Sequence, residues 1–449
     1  MPTVLLLGAG RDQCPAILHT RELGHRVVAV DDDPTAPGLA HADVAEVADV
    51  ASVDAIEGLA RSHGADAVLT VAEDRSVPVV AAVAERLGLP SLGPDAAHRF
   101  THKLAMRRTL AEEGLPQPTY AAVRNLAEGR AALDTVGLPA VLKPADAEGQ
   151  RGLFRIDEPG ELESHLHAAL AESTSREALL ERLVEGTEMN AVVVALRGST
   201  RLVSLSDRLR PEDARFGVAR AHVHPARIHS DQLAAAERTA ERAASVLGLR
   251  DGIGVVQLVA TTDGGASVVG AAARVAGGRL AELVRHAVGV DLVALALRFA
   301  LGEEIPEEDV LPRRAEPVAL RYLTAEPGHL PTGRVVRFGA LGPVLSAEGV
   351  VDAETYLSPG TSFAHCGRRQ TATGTCSQPA PRRSRHSTTP TVPRPSSSSR
   401  SSERWPAGSR SSTTERSCGR HARGATASRP SPTHRWTAIC CSATTSTSR

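Results

Sequence analysis

Two lysines are the most informative residues in this chain. Its 51 basic residues include only Lys103 and Lys143, so arginine serves wherever a surface cation suffices. A lysine kept under that bias indicates a position that needs a compact point charge rather than a planar guanidinium. Phosphate binding is one such role. Two surface lysines left by chance are the plainer alternative.

A glycine-containing loop follows the second lysine. Lys143 ends the apolar run LPAVLKP, and Gly149 and Gly152 lie in the loop ADAEGQRG that comes next. Backbone N–H groups of such a loop can close over phosphates while the lysine neutralises them. The sequence lacks the Walker pattern GxxxxGK followed by Ser or Thr, and it lacks the kinase HRD and DFG motifs. These residues therefore predict a nucleotide-binding fold of another type.

The elements that must position these residues begin with a strand-helix alternation. Residues 1–98 alternate apolar runs with amphipathic segments, which predicts a parallel sheet covered on both faces in a Rossmann-like domain. Gly8 and Gly10 after the first strand, with Asp31 after the second, suggest dinucleotide binding. The fingerprint fails at its third glycine, where Gln13 stands, so we prefer a tight strand-to-helix turn.

The pattern then changes twice along the chain. Helices and strands continue over residues 99–310, and short strands and turns over 311–364 predict a small β-rich segment. Residues 365–449 hold 15 arginines, two acidic residues and runs of Ser, Thr and Pro without hydrophobic periodicity. Such a segment cannot bury enough apolar surface to offset chain entropy. It is either a disordered basic tail or a tail translated in a shifted reading frame, and we prefer the second.

Composition excludes several classes of protein. The first 364 residues carry 36 basic and 50 acidic side chains, which argues against a nucleic-acid surface there. No run of about 18 apolar residues occurs, and the opening MPTVLLLGAG lacks the basic flank and cleavage site of a signal peptide. Cys14 is the only cysteine before the tail, which disfavours structural zinc and a disulfide scaffold. These features predict a soluble cytoplasmic protein without a specific nucleic-acid or membrane partner.

Residues 1–364 resemble the ATP-grasp superfamily, in particular its biotin-carboxylase-like ligases with a pre-ATP-grasp domain. The resemblance rests on THKLAMR, on VLKP before the glycine-containing loop, on ERLVEGTE and on GVVQLVATTDGGASVVGAAARVAGG. It implies an α/β chain whose Rossmann-like domain (1–98) precedes an ATP-grasp domain of α+β type (99–310). A lid at about 119–185 and the β-rich segment 311–364 complete the expected organisation.

The same resemblance assigns residues to the phosphates. Lys103 and Lys143 are expected to touch the phosphates of ATP below the glycine-containing loop. Arg274 would face the γ-phosphate or an acyl phosphate as charge develops there, a task suited to its fixed fork of donors. Lys143 and Arg274 are therefore the candidate catalytic residues. Gly277 and Gly278 either admit an anionic substrate close to the backbone or form a simple turn.

The segment ERLVEGTE resembles the hinge that holds adenine in this superfamily. The backbone of Leu183 and Val184 is expected to meet the adenine edge. Glu181 and Glu188 match positions near the adenine amine and the ribose hydroxyls. An exposed strand end is the plainer interpretation of both glutamates.

Magnesium ligands are expected on two neighbouring antiparallel strands, because bridging the ATP phosphates requires oxygen ligands on a rigid floor. VQLVA and ASVVG are predicted to pair as a hairpin that places positions 257 and 270 on one face. Gln257 occupies the first ligand position of the resemblance. The family's glutamate at the second is replaced by Gly270, and losing a catalytic stabiliser commonly costs roughly 10²–10³ in rate.

Three functions are compatible with these features. The first is an ATP- and Mg²⁺-dependent ligase that activates a small carboxylate as an acyl phosphate for attack by an amine or similar nucleophile. The second is a catalytically impaired ATP-grasp protein that binds nucleotide, and the third is an NAD-dependent oxidoreductase. A homodimer is common among such ligases. Four residues are expected to line the pocket without identifying the acid: Asp207, Arg208, His222 and His224.

Overall fold

Four parallel strands form the first sheet of the computed structural model, which describes residues 1–210, 219–323, 333–355, 359–360, 362–363, 435–439 and 443–445. All of these residues belong to one unit of the fold. The strands are β1 Thr3–Leu7, β2 Arg26–Asp31, β3 Val44–Val47 and β4 Ala67–Thr70. Their spatial order is β3-β2-β1-β4, and every pairing is parallel.

Helices accompany this sheet as the alternating pattern predicts. They are α1 Cys14–Glu22, α2 Val53–His63 and α3 Val77–Leu87. Helix α2 begins where the Ser52 side chain accepts a hydrogen bond from the backbone of Ala55, and it ends at Gly64 in the left-handed conformation. Every residue of β1 is buried, as in a parallel sheet covered on both faces. The predicted N-terminal domain with a parallel sheet is confirmed.

A second, antiparallel sheet follows two connecting helices, α4 Pro94–Thr101 and α5 Lys103–Glu112. Its strands are β5 Tyr120–Val123, β6 Ala140–Pro144, β7 Phe154–Ile156 and β8 Ala178–Arg182, in the order β5-β8-β6-β7. Helices α6 Leu126–Val136 and α7 Leu162–Glu172 pack on it through a shared apolar core. We call this sheet the lid sheet because it lies within the predicted lid.

A larger sheet, the central sheet, forms the floor below the lid sheet. Its first six strands are β9 Thr187–Leu196, β10 Ser199–Leu209, β11 Ala221–His224, β12 Gly252–Ala260, β13 Ala266–Ala272 and β14 Val318–Tyr322. They pair antiparallel in the order β13-β12-β9-β10-β11-β14.

The two faces of the central sheet are covered differently. Helix α8 Ser230–Val246 covers one face through four alanines with no exposed surface, which lets the helix approach the sheet closely: Ala236, Ala240, Ala243 and Ala244. Helices α9 Leu280–Val288 and α10 Leu292–Ala300 cover the other face. Leu69 and Val71 of the N-terminal domain join that second core.

The remaining described elements are short. They are β15 Gly333–Phe338, α11 Gly342–Leu345, β16 Val350–Asp352, β17 Ser362–Phe363, β18 Arg435–Ile439 and β19 Ala443–Thr445, with 3-10 helices at Pro37–His41, Pro159–Glu161 and Glu307–Asp309. Strand β18 lies between β14 and β16 at the edge of the central sheet, and β15 pairs with β17 and β19. Most of the predicted tail 365–449 lies outside the described residues.

Two findings bear on the class of the protein. The mixed α/β class predicted from the sequence is confirmed by the four sheets of the described residues and their helices. Among the helices of the described residues, none is both long and apolar enough to cross a membrane. The predicted domain boundaries stay predictions.

Candidate nucleotide-binding site

Lys143 lies in the lid sheet and points toward the central sheet. It is the fourth residue of β6, and its side chain is 10% exposed. Its Nζ lies 2.7 Å from Glu181 Oε2 and donates to the carbonyl of Val269 at 3.2 Å. Burial lowers the pKa of Lys143 to about 8, although Glu181 opposes the shift. The ammonium thus reaches the strand that carries Gly270.

Glu181 binds two cations at once. Its Oε1 lies 2.6 Å from Arg107 Nε, and the Arg107 side chain has no exposed surface. Arg107 also donates to the carbonyl of Val268 at 2.7 Å. Burial alone would raise the pKa of Glu181, but Arg107 and Lys143 outweigh burial and lower it. Glu181 therefore neutralises two buried cations, and its expected contact with the adenine amine stays a prediction.

Arg107 is a buried residue of this site that the sequence did not predict. Its residue type carries no information in a chain where nearly every cation is an arginine. Its position four residues after Lys103 on α5 places both side chains on one helix face, which offers the only local indication. A fully buried arginine requires an acidic partner, and that partner lies far along the chain.

Lys103 meets the glycine-containing loop. It is the first residue of α5, its backbone N–H donates to the carbonyl of Ala145 at 2.7 Å, and its Nζ donates to the carbonyl of Ala147 at 2.5 Å. Burial lowers the pKa of Lys103 against the attraction of Asp74 and other acids. Lys103 therefore contacts the glycine-containing loop, and Lys143 contacts strand β13 below it.

The two glycines of that loop are needed for different structural reasons. Gly149 has φ +64° and Gly152 has φ +66°, a backbone conformation that favours glycine. A Cβ at Gly149 would meet no neighbouring atom, whereas a Cβ at Gly152 would lie 2.7 Å from Pro144 Cγ. Conformation alone accounts for Gly149, and both conformation and close packing account for Gly152.

The predicted hinge connects the two sheets. Leu183 and Val184 follow β8 and are partly buried, and the backbone N–H of Leu183 donates to the carbonyl of Pro139 at 3.0 Å. Glu188 lies in β9 and accepts from Arg208 at 2.6 Å and from Arg210 at 2.7 Å. Their expected contacts with adenine and ribose stay predictions.

Gln257 and Gly270 face each other across the β12–β13 hairpin, so the predicted pairing is confirmed. A β-bulge follows Gln257 in this hairpin. A Cβ at position 270 would lie 2.8 Å from Gln257 Oε1, the end of a flexible side chain that can move aside. The Gln257 side chain therefore occupies part of the space that a glutamate at position 270 would fill.

Two more neutral side chains, those of Asn190 and His222, follow Gln257 across the central sheet. Asn190 stands opposite Gln257 on β9, and its Nδ2 donates to His222 Nδ1 at 3.1 Å. Burial, aided by nearby Arg208, lowers the pKa of His222 to about 3, so this imidazole is uncharged at neutral pH. We call Gly270, Gln257, Asn190 and His222 the floor row.

The floor row does not fit a magnesium ion. Mg²⁺ demands hard oxygen ligands and in proteins is usually held by one or two carboxylates. At the two positions where the resemblance expects ligands, the chain offers the Gln257 amide and no side chain at Gly270. The described residues also contain no cluster of three or more His, Cys, Asp or Glu side chains arranged to hold a metal.

Arg274 connects the central sheet to the N-terminal domain. It follows β13, its side chain is 15% exposed, and its Nε donates to Asp74 Oδ1 at 2.5 Å. Asp74 lies in the loop after β4, and its backbone N–H donates to the carboxylate of Glu148 in the glycine-containing loop. Burial and the Asp74 carboxylate raise the pKa of Glu148. Asp74 therefore joins the candidate catalytic arginine to the predicted phosphate loop.

Gly277 and Gly278 pack closely against neighbouring groups. A Cβ at Gly277 would lie 2.9 Å from the Cβ of Ala72, and the Tyr322 hydroxyl donates to the carbonyl of Gly278. This packing accounts for both glycines as a tight turn, with Gly277 against the N-terminal domain and Gly278 against β14. Their predicted contact with an anionic substrate stays a prediction.

The four pocket residues expected from the sequence divide between the two faces of the central sheet. Arg208 and His222 stand opposite each other on β10 and β11, on the face of the floor row. Asp207 alternates to the other face, where it binds Arg227 Nε at 3.0 Å, so it does not line the site with them. His224 is buried and lies 3.0 Å from Ser204 Oγ.

Known proteins resemble this chain in sequence. An uncharacterized protein of Sinorhizobium fredii is 27% identical over 368 residues, which cover 80% of this chain and 73% of that protein. A formate-dependent phosphoribosylglycinamide formyltransferase of Synechococcus is 30% identical over 187 residues. That second match covers 41% of this chain and only 47% of the enzyme.

Solved structures resemble it in fold. An L-amino acid ligase from Bacillus licheniformis superposes with a TM-score of 0.70 at 18% identity, covering 83% of this chain and 91% of that one. The biotin carboxylase domain dimer of Hydrogenobacter thermophilus 2-oxoglutarate carboxylase, in complex with MgADP, ADP and bicarbonate, has a TM-score of 0.63 at 20% identity. This superposition covers 76% of this chain and 79% of the Hydrogenobacter thermophilus chain.

Family models match both parts of the chain that build the site. The ATP-grasp N-terminal domain matches residues 19–91, which span most of the parallel sheet and its helices. The ATP-grasp domain matches residues 108–275, from α5 through the lid sheet and the β12–β13 hairpin to Arg274 and its neighbour. The chain therefore belongs to the ATP-grasp superfamily, with an ATP-grasp domain that follows a Rossmann-like N-terminal domain.

Proposed function

We propose that this protein is an ATP-dependent ligase that activates a carboxylate as an acyl phosphate for attack by an amine or similar nucleophile. One observation carries the proposal: Lys143 Nζ reaches the Val269 carbonyl at 3.2 Å. The predicted phosphate lysine of the lid sheet thereby lies against the strand that leads to Arg274. This arrangement supports a phosphate site beside a cation that would meet the developing negative charge.

The reaction would proceed in two steps. A carboxylate oxygen attacks the γ-phosphorus of ATP, the bond from that phosphorus to the β,γ-bridging oxygen breaks, and ADP leaves. The nucleophile then attacks the acyl carbon, the carbon–oxygen bond to phosphate breaks, and the amine loses a proton.

The chain's own cations would stabilise both steps. Lys103 and Lys143 offset the charge of the ATP phosphates and of the departing ADP. Arg274 would turn from Asp74 to the transferred phosphoryl group, where its forked donors match the oxygens of a phosphate. No step is assigned to a metal, because the floor row does not fit one.

Nucleotide orientation would come from the hinge and the loop. Leu183 and Val184 would receive the adenine edge, and Glu188 would approach the ribose. Gly149 and Gly152 would let the loop backbone close over the phosphates.

The substrates are proposed as small molecules. Proteins of similar fold or sequence are named for ligation of L-amino acids and for formylation of phosphoribosylglycinamide, which supports a carboxylate and an amine as substrates here. The dimer of the Hydrogenobacter thermophilus domain supports a homodimer as the assembly to test. A cytoplasmic location remains part of this proposal.

A second candidate function is nucleotide binding without turnover. The opposed pair of Gln257 and Gly270 favours it, because a ligase of this superfamily is expected to hold Mg²⁺ at these positions. This candidate requires the lysines and the hinge, but it does not require Arg274 to meet a reacting group.

Release of ADP distinguishes the two candidates. The full-length chain is incubated with ATP and pairs from a panel of carboxylic acids and amines, and ADP and the coupled product are measured. A ligase releases ADP only when acid and amine are both present, and Arg274→Gln should lower that rate roughly 10²–10³-fold. Arg108→Gln, an exposed position on α5, is the matched control and should retain the rate. Nucleotide binding without ADP release for any pair would favour the second candidate.

A further inference from the structure

The floor row is uncharged along its whole length. Gln257 and Asn190 are amides, His222 is a neutral imidazole, and Gly270 has no side chain. Ser206 stands opposite Asn190 on β10 and is also neutral and buried. Residues that stand opposite each other in a sheet project to the same face. The described surface below the phosphate lysines therefore contains neutral donors and acceptors where a metal-binding site would carry carboxylates.

Cations border this row on two sides. On one side, Arg208 and Arg210 both bind the carboxylate of Glu188. On the other side, Arg107 and Lys143 share the carboxylate of Glu181. These cations can bind phosphate oxygens directly.

The acids that border the site are held by other groups. Asp74 binds Arg274, and Glu148 accepts from the backbone of Asp74. Asp207 lies on the other face of the sheet with Arg227. Each of these three carboxylates therefore has a partner outside the floor row.

We propose that this site binds a nucleoside polyphosphate as the free anion, without a divalent cation. The inference rests on the proposed nucleotide site and concerns how that site balances the phosphate charge. Paired carboxylates would repel bare phosphates and make a bridging metal necessary. Here the phosphates meet Lys103, Lys143 and the flanking guanidiniums directly. A magnesium ion would find no carboxylate ligand in the floor row, and it would compete with these cations for the same oxygens.

Calorimetry on the full-length chain tests this directly. Binding of ATP and ADP is measured once in excess EDTA and once in saturating Mg²⁺. The expected result is a dissociation constant in EDTA that equals or lies below the value in Mg²⁺. Affinity that drops about tenfold or more on chelation, equivalent to about 1.4 kcal/mol, would overturn the proposal. Absence of binding under both conditions would overturn it as well.

Two variants show whether the floor row is responsible. The double variant Gln257→Glu with Gly270→Glu restores paired carboxylates, and it should lose about tenfold or more in EDTA and recover with Mg²⁺. Gly270→Gln adds a side chain of the same size without charge, so any loss of binding that it causes measures bulk alone and should be smaller than the loss in the double variant. Arg108→Gln, at an exposed position on α5, is the control that should keep metal-independent binding. The single variant Gln257→Glu changes the charge of an exposed side chain without changing its size. It therefore tests the effect of charge on binding without endangering the fold. If the double variant binds equally well in EDTA, the floor row does not face the phosphates and the inference fails.

These measurements separate this inference from the proposed ligase activity. Binding in EDTA without ADP release for any acid and amine would sustain metal-independent binding and contradict the ligase. ADP release accompanied by a strict Mg²⁺ requirement for binding would sustain the ligase and contradict metal-independent binding.

Discussion

Lys143 and Glu181 form a buried ion pair, with Nζ and Oε2 2.7 Å apart, and Arg107 binds the other oxygen of the same carboxylate at 2.6 Å. Two buried cations therefore depend on one acid. A bound phosphate would supply the missing negative charge beside Lys143. This arrangement leads to predictions for the lysines, for pH and for stability.

Lys143→Ala and Lys103→Ala should each weaken ATP binding strongly, because the chain has no third lysine to replace either one. A charge-assisted contact contributes about 1.5–3 kcal/mol, so each variant should lose about ten- to hundredfold in affinity. Calorimetry with ATP measures the loss, and Arg108→Ala serves as the exposed control. Unchanged affinity in both lysine variants would remove the main support for the nucleotide site.

ATP affinity should fall as pH rises through about 8. The pKa of Lys143 is lowered to about 8, so its cationic form is present below that pH and lost above it. Lys143→Arg keeps its charge and should show a flatter profile, measured by calorimetry across the same range. Stability should change in the opposite sense. The unfolded chain binds more protons than the folded chain between about 8 and the ordinary lysine pKa, so Lys143 becomes less destabilising as pH rises there.

Glu181→Gln should destabilise the protein severely, because it leaves Arg107 and Lys143 buried without their counter-charge. Removing one partner of a buried pair costs about 3–5 kcal/mol. Urea unfolding measures this difference in the free energy of unfolding. Glu177→Gln is the comparison, because its partner Arg124 is half exposed and such pairs contribute about 0–1 kcal/mol. Equal stability of the two variants would mean that Glu181 does not balance the buried cations.

Gly270→Glu should tighten binding of Mg·ATP and raise metal-dependent ADP release with the right acid. Position 270 faces Gln257, so the new carboxylate and the amide oxygen would lie on one face as a partial oxygen site. The full tail is kept in both proteins, so that the comparison isolates position 270. A variant that binds Mg·ATP no better than the parent would exclude a metal site at 257 and 270.

Local patterns predicted much of the molecule. Strand-helix alternation gave the parallel N-terminal sheet, because apolar periodicity is a property of neighbouring residues. The spacing of VQLVA and ASVVG gave the opposition of Gln257 and Gly270, because a short connection fixes the register of a hairpin. Both lysines were identified by their rarity, and both reach the predicted loop or the strand below it.

Contacts between distant residues escaped the same reasoning. Arg107 and Glu181 are 74 positions apart, and Asp74 and Arg274 are 200 apart. No local pattern encodes such pairings, because they depend on how separate sheets pack. The placement of Asp207 on the far face was also missed, although alternation along β10 separates it from Arg208.

The two hydrogen bonds of Asp74 make its backbone amide a probe of movement in the glycine-containing loop. Its carboxylate holds Arg274 while its amide proton is donated to Glu148. That proton can exchange with deuterium from solvent only when Glu148 moves away, so its exchange rate records how often the glycine-containing loop opens. A ligand that engages the loop should alter this rate at a single amide in the N-terminal domain. Loop opening can therefore be timed without an attached probe, a chromophore or turnover.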